Sequence, residues 1–277
     1  MQQVSEHVWA EVDYDGSNVG MIVGERGIVL VEAPMCPTDA KDWLSKVKGV
    51  SDKPVLFVVT TDHHFDHAVC SSMLCRNIIM HEAAAVAFGR EVKGRVVELF
   101  ETYFSERLEE VREDVEKLET LDPLITFETS MTIDLGGVQA ELIHTGGHAS
   151  GTSLIHVIPD RVLFAGDNVT NGRHAYMGEM SLAKWLDALD RTAGLAPKVV
   201  VPGHGDVGDI ESVHTMNRFF TRMKEIVASG IASGEDEDTV ATRGADLLAF
   251  FRMQPGREEM TPQWIEEGLR LSYREMR

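Results

Sequence analysis

Eight consecutive residues, Thr60-Thr61-Asp62-His63-His64-Phe65-Asp66-His67, limit the choice of fold more than any other part of the chain. They follow directly on Pro54-Val55-Leu56-Phe57-Val58-Val59-Thr60, an apolar, β-branched run that reads as a strand buried in a sheet. Three histidines and two carboxylates within six residues are too polar and too concentrated to be packing. A strand that ends in a loop can aim several of them at one point, and imidazole with carboxylate is the ligand set of zinc, iron or manganese. The chain is therefore expected to build a sheet whose strand ends meet at a metal site.

Further strand signals precede and follow. The runs 6–13, 18–24 and 27–33 come before it, with a helix from about Thr38 to Gly49 between the third run and the apolar strand. Strands are expected again at 125–127, 131–134, 138–144, 153–158, 162–166 and 198–201, with a helix at 181–194 and mostly helix from 209 onward. The order suggests two similar αβ halves back to back. Three Gly-rich turns after these later strands each carry one more polar residue: Thr145-Gly146-Gly147-His148, Gly166-Asp167-Asn168 and Pro202-Gly203-His204-Gly205. One histidine beside a turn means little, but recurrence at equivalent strand ends points back to the same site.

Taken in order, these pieces resemble the metallo-β-lactamase superfamily, whose pattern is His-x-His-x-Asp-His followed by a Gly-His turn, a Gly-Asp and a second Gly-His. The resemblance covers most of residues 1–210. It implies an α/β fold, an αββα sandwich with a two-metal site at one edge of the paired sheets. On it, His64 and His148 belong to the first metal, Asp66, His67 and His204 to the second, and Asp167 bridges both. Zinc is the first choice, with manganese or iron as alternatives.

One position departs from the pattern, because Asp62 stands where the family has its first His. Either Asp62 ligates through oxygen or it points away and the first metal is weakened; His63 is a poorer substitute because it starts one residue out of register. Oxygen in place of nitrogen favours harder ions such as manganese or iron, although zinc still fits. A third carboxylate also lowers the net charge of the loaded centre, so a metal-bound hydroxide there should have a higher pKa. The expected chemistry is hydrolysis: two metals about 3.5–4 Å apart share a water that acts as nucleophile near neutral pH. Asp66 would orient that water as well as bind metal, and His174 and Tyr176, in the loop 171–180, are candidate substrate contacts or proton donors.

The formal charge of −19, from 26 basic and 45 acidic side chains, repels phosphate backbones and argues against nucleic acid. No Lys/Arg cluster adjoins the motif turns, which disfavours a glutathione thioester. The expected substrate is a small neutral or apolar ester, lactone, thioester, amide or activated halide. Competing expectations are an iron-dependent oxidoreductase of the persulfide dioxygenase type and a degenerate binding protein without catalysis. No window approaches the ~18 apolar residues of a membrane span, and Met1–His7 lacks a basic and apolar leader. A cytoplasmic protein with no membrane partner is expected, its three cysteines (Cys36, Cys70 and Cys75) reduced.

A helical insertion is expected at about 81–121. Within it Val97, Phe100, Phe104, Leu108, Val111, Val115 and Leu118 recur at a mean spacing of 3.5, which predicts one long amphipathic helix over 94–121 and offers a homodimer surface. The domain boundary falls near 210, with 1–210 as the metal-binding domain and 211–277 as a helical extension packed on it. His7, His81, His144, His156 and His214 lack partner motifs and read as structural or surface residues.

Overall fold

A computed structural model describes all 277 residues. The first sheet comprises β1 (Gln2–Gln3), β2 (Val8–Glu11), β3 (Val19–Val23), β4 (Ile28–Val31), β5 (Val55–Val59), β6 (Ile78–His81) and β7 (Ile125–Phe127), in that spatial order. Its first four strands are antiparallel, and β4 to β7 run parallel. The second sheet holds β8 (Ser130–Asp134), β9 (Gln139–His144), β10 (Ser153–Ile158), β11 (Val162–Phe164) and β12 (Val199–Val201), in the order β12-β11-β10-β9-β8.

The central strands of each sheet, such as β4 and β11, are buried on both faces, which explains their continuous apolar runs. In β4, Ile28 and Leu30 face an outer helical layer while Val29 and Val31 face the other sheet. In β11, Leu163 faces outward to helices and Val162 and Phe164 inward. The inter-sheet core joins Val8, Ile22, Val31 and Val59 of the first sheet to Leu142, Ile155, Phe164 and Val201 of the second. The result is four layers, helix, sheet, sheet, helix, as the αββα expectation requires.

Over the first sheet lie α1 (Pro37–Val50), α2 (Phe65–Ala68), α3 (Ser71–Leu74), α4 (Glu82–Glu91), α5 (Val96–Tyr103) and α6 (Ser105–Glu116). The single helix expected over 94–121 is instead the pair α5 and α6, broken at Phe104, whose φ of −144° and ψ of 31° are not helical. The apolar seam survives the break because both helices turn it to one core. Phe100, Leu108, Val111 and Val115 are buried there, with Val97, Phe104 and Leu118 packed against them. The seam thus serves the chain's own interior. The insertion begins where expected, with α4, but a strand the sequence reading did not anticipate, β6, precedes it, and α4–α6 form the connection between the parallel neighbours β6 and β7.

Over the second sheet lie α7 (Leu182–Gly194), α8 (Ile210–Ala232), α9 (Glu237–Ala241), α10 (Ala245–Leu248) and α11 (Met260–Met276). Val213, Met216, Phe220, Ile265 and Leu269 of this extension share one core with Leu163 and Val200 of the sheet. Glu275 of α11 accepts hydrogen bonds from Ser181 Oγ and from the backbone N–H groups of Leu182 (2.7 Å) and Ala183 (3.2 Å), capping the N-terminus of α7. No helix is long and apolar enough to cross a membrane. All three cysteines are free, with Cys36 and Cys70 buried.

Candidate metal centre

The polar residues sit on four loops that leave β5, β9, β11 and β12 at one edge of the sandwich. Backbone hydrogen bonds tie these loops together across the sheets: Ser153 N–H to Thr61 O (2.8 Å), Asn18 N–H to Gly203 O (2.7 Å), Gly203 N–H to Gly166 O (2.9 Å) and Asn171 N–H to His204 O (2.9 Å). Gly203 must be glycine, because a Cβ there would stand 1.9 Å from Asp167 Oδ1. The loops are thereby fixed before any ligand arrives.

Seven side chains converge in two clusters. In the first, His64 Nδ1 lies 3.2 Å from His148 Nε2 and 3.4 Å from Asp62 Oδ1, and Asp62 Oδ2 lies 4.0 Å from His148 Nε2. In the second, Asp66 Oδ2 is 3.2 Å from His204 Nε2 and 4.0 Å from His67 Nε2. Asp167 stands between them: Oδ1 is 3.4 Å from both His67 Nε2 and His204 Nε2, and Oδ2 is 3.6 Å from His148 Nε2. Asp62 therefore points into the site, fully buried, with Oδ1 also accepting the backbone N–H of His64 at 2.9 Å.

Three atoms that face this space, Asp62 Oδ2, His67 Nε2 and Asp167 Oδ1, are buried without any hydrogen-bond partner. Such groups are costly unless satisfied, and two triads of imidazole and carboxylate donors, each within 4.8 Å of one another, suit divalent cations. The residues fit a two-metal centre. Burial opposes charge at Asp167, but the His204 and His67 imidazoliums outweigh it and hold that carboxyl well below its usual range. His204 is pushed up to about 9, Asp167 and Asp66 outweighing its burial, whereas burial takes His148 down to about 4. A metal entering here must displace protons.

Glu32 escaped the sequence reading. It follows the apolar strand β4, is buried at a φ of 60°, and lies with Oε1 3.2 Å from His67 Nδ1. Thr61 donates to it from its backbone N–H (3.1 Å) and its hydroxyl. A carboxylate behind a ligating imidazole fixes the tautomer and raises its basicity. The available signal was an acid placed directly after a strand buried on both faces. Glu179, also unanticipated, lies 3.6 Å from both His63 Nε2 and His64 Nε2.

The two residues expected from the 171–180 loop part company. Tyr176 overhangs the first cluster, its ring 5.9 Å from that of His64 and 6.2 Å from that of His148. Burial and the nearby Glu179 raise its pKa, so it stays protonated at neutral pH. His174 does not reach the cluster. It is buried against Phe219 and Phe251 with Nε2 3.2 Å from Leu247 O, a structural role set by the packing of α8 and α10. Of the remaining histidines, His7 pairs with Asp160 at 2.8 Å and His81 stacks on His144 at 3.6 Å.

A four-layer αββα sandwich with paired histidine and carboxylate clusters at one sheet edge defines a metallohydrolase-type fold. The family model of the metallo-beta-lactamase superfamily matches residues 12–204, and the chain belongs to that superfamily. Among solved structures it is similar to a metallo-beta-lactamase from Pontibacter korlensis, at 21% identity and a TM-score of 0.64, over 79% of this chain and 97% of that one. It is also similar to a metallo-beta-lactamase family protein from Thermus thermophilus, at 18% identity and a TM-score of 0.67, over 99% and 94% of the two chains. The stereoselective inverting sec-alkylsulfatase of a Pseudomonas species matches at 13% identity with a TM-score of 0.73, over 98% of this chain and 49% of its own. No curated protein matches the sequence.

Proposed function

We propose that this protein is a binuclear metal-dependent hydrolase of small molecules bearing an ester, lactone, thioester, amide or activated halide. The observation that carries the proposal is the place of Asp167, whose two oxygens face opposite clusters at 3.4 and 3.6 Å. Asp62, His64 and His148 would hold one divalent cation, and Asp66, His67 and His204 the other. Bound there, the pair would supply Lewis acidity and a water whose pKa falls toward roughly 7. Zinc suits the imidazoles, and the oxygen of Asp62 extends the choice to manganese and iron.

The chain supplies the rest. Asp66 is the most open of the seven side chains, 28% exposed, so it borders the incoming water and can accept its hydrogen bond. Tyr176, kept protonated, offers a hydroxyl at the mouth to a substrate oxygen or a departing group. Its hydroxyl lies over Gly178, where a Cβ would come within 2.0 Å of it. Trp264 of α11 meets Tyr176 at 5.9 Å, so the extension contributes an apolar wall for the substrate.

The test is elemental mass spectrometry of the purified, unchelated protein, followed by turnover of esters, lactones and thioesters with added zinc or manganese. Two metals per chain and metal-dependent hydrolysis are expected. Oxygen uptake with persulfide and one iron per chain would replace hydrolysis with redox chemistry, and metal or ligand binding without turnover would leave a binding protein.

A further inference from the structure

We infer that Glu179 is a positioning residue for His64, holding that ring in the one tautomer that can ligate the first metal. The inference rests on the metallohydrolase reading above and deepens it.

The direction of the His64 ring is the starting point. Its Nδ1 faces Asp62 and His148, so Nδ1 is the atom offered to a cation. Its Nε2 is turned the other way, buried without a hydrogen-bond partner, and 3.6 Å from Glu179 Oε1. A neutral imidazole carries one proton and one lone pair. If Nδ1 is to give its lone pair, the proton must sit on Nε2, and a carboxylate opposite Nε2 favours that arrangement. A small rotation of either side chain closes 3.6 Å to a hydrogen bond.

Glu179 is itself held in place. Its Oε2 lies 3.6 Å from His63 Nε2, which is also 3.2 Å from Glu91 Oε2 at the end of α4. His63 is buried, with its ring 4.4 Å from that of His64 at an angle of 33°. Two adjacent histidines thus divide the work: His64 faces the centre, and His63 anchors the carboxylates behind it. Through Glu91 this clamp also ties the helical insertion to the metal site.

The experiment prepares metal-free protein and reloads it with zinc against a chromophoric chelator, for the wild type, Glu179→Ala and Glu179→Gln. Glu179 is 35% exposed on a loop, so both variants should fold, which circular dichroism checks. Glu179→Ala is expected to weaken one of two bound zinc ions by about 10–100-fold and leave the other unchanged. Glu179→Gln should recover part of that loss, because its amide oxygen still accepts the Nε2 proton. In the cobalt-loaded wild type, an exchangeable imidazole N–H shifted by the paramagnetic ion should be observed, and it should exchange faster in Glu179→Ala. Wild-type affinity at both sites in Glu179→Ala overturns the role of Glu179 alone. If the wild type instead binds three zinc ions and Glu179→Ala two, Glu179 is itself a ligand, with His63 and His64, of a third ion, and the positioning role is overturned as well. A wild-type protein that takes up no divalent metal overturns both this inference and the metallohydrolase reading.

Discussion

Asp62 reaches His64 twice through the same oxygen: Oδ1 accepts the His64 backbone N–H at 2.9 Å and lies 3.4 Å from His64 Nδ1. Asp62 therefore shapes the turn that presents His64, while its Oδ2 remains unsatisfied toward the centre. Asp62→His should raise zinc affinity at the first cluster and lower the preference for manganese, since nitrogen is the softer donor. Competition between the two metals measures this. An unchanged preference would show that Asp62 only builds the turn. Asp62→Asn keeps the acceptor for His64 N–H and loses the charge, so it should fold normally yet bind the first metal more weakly.

Asp167 faces both clusters, and its loss should be felt in both. Asp167→Ala should remove most activity, more than about 100-fold, because a direct ligand should matter more than the outer partners whose loss costs about 10–100-fold. Metal content should fall at both positions. In Asp66→Ala the loss should be confined to one metal, because Asp66 faces only His67 and His204. Full metal occupancy and unchanged turnover in Asp167→Ala would sink the two-metal model.

Most of the scaffold was legible because its strands alternate between two cores and end in turns with strong signatures. Val29 and Val31 against Ile28 and Leu30 are an example, and the four polar loops follow such strands. The misses have local causes. β6 is only four residues, Ile78–His81, too short for periodicity to separate it from the helix that follows. The break at Phe104 involves neither Gly nor Pro, and the apolar spacing runs through it unbroken. Glu32 and Glu179 act on histidines 35 and 115 positions away, contacts that no short window contains. His174 looked catalytic only because it shares a loop with Tyr176; the loop sends one inward to Phe219 and the other over His64.

Burial holds His174 and His144 below the usual histidine range, and neither belongs to the metal-facing clusters. Between the lowered folded values and about 6.5, the unfolded chain binds protons that the native state does not. Stability from these residues is therefore fully present above about pH 6.5 and is lost as pH falls toward the folded values. Compared with the wild type in urea unfolding at each pH, His174→Gln, which can still donate to Leu247 O, should lose less stability between about pH 7.5 and 5.5. Parallel curves for the two proteins would show that His174 titrates normally.

The extension supports the site through a chain of contacts that begins at Phe220. Its buried ring lies 4.1 Å from Trp185, whose Nε1–H donates to Asn168 O at 2.9 Å, and Asn168 Oδ1 accepts the His148 backbone N–H at 3.0 Å. Phe220→Ala should cost about 3–5 kcal/mol of stability and, by loosening Trp185, should also weaken metal binding at the first cluster. Trp43→Ala, equally buried but in the helical layer over the other sheet, should cost a similar amount and leave metal affinity unchanged. Denaturant unfolding paired with zinc competition reads both quantities on the same samples. Equal metal affinity in the two variants would mean that the extension only stabilises the fold, and that His148 is held by its own loop.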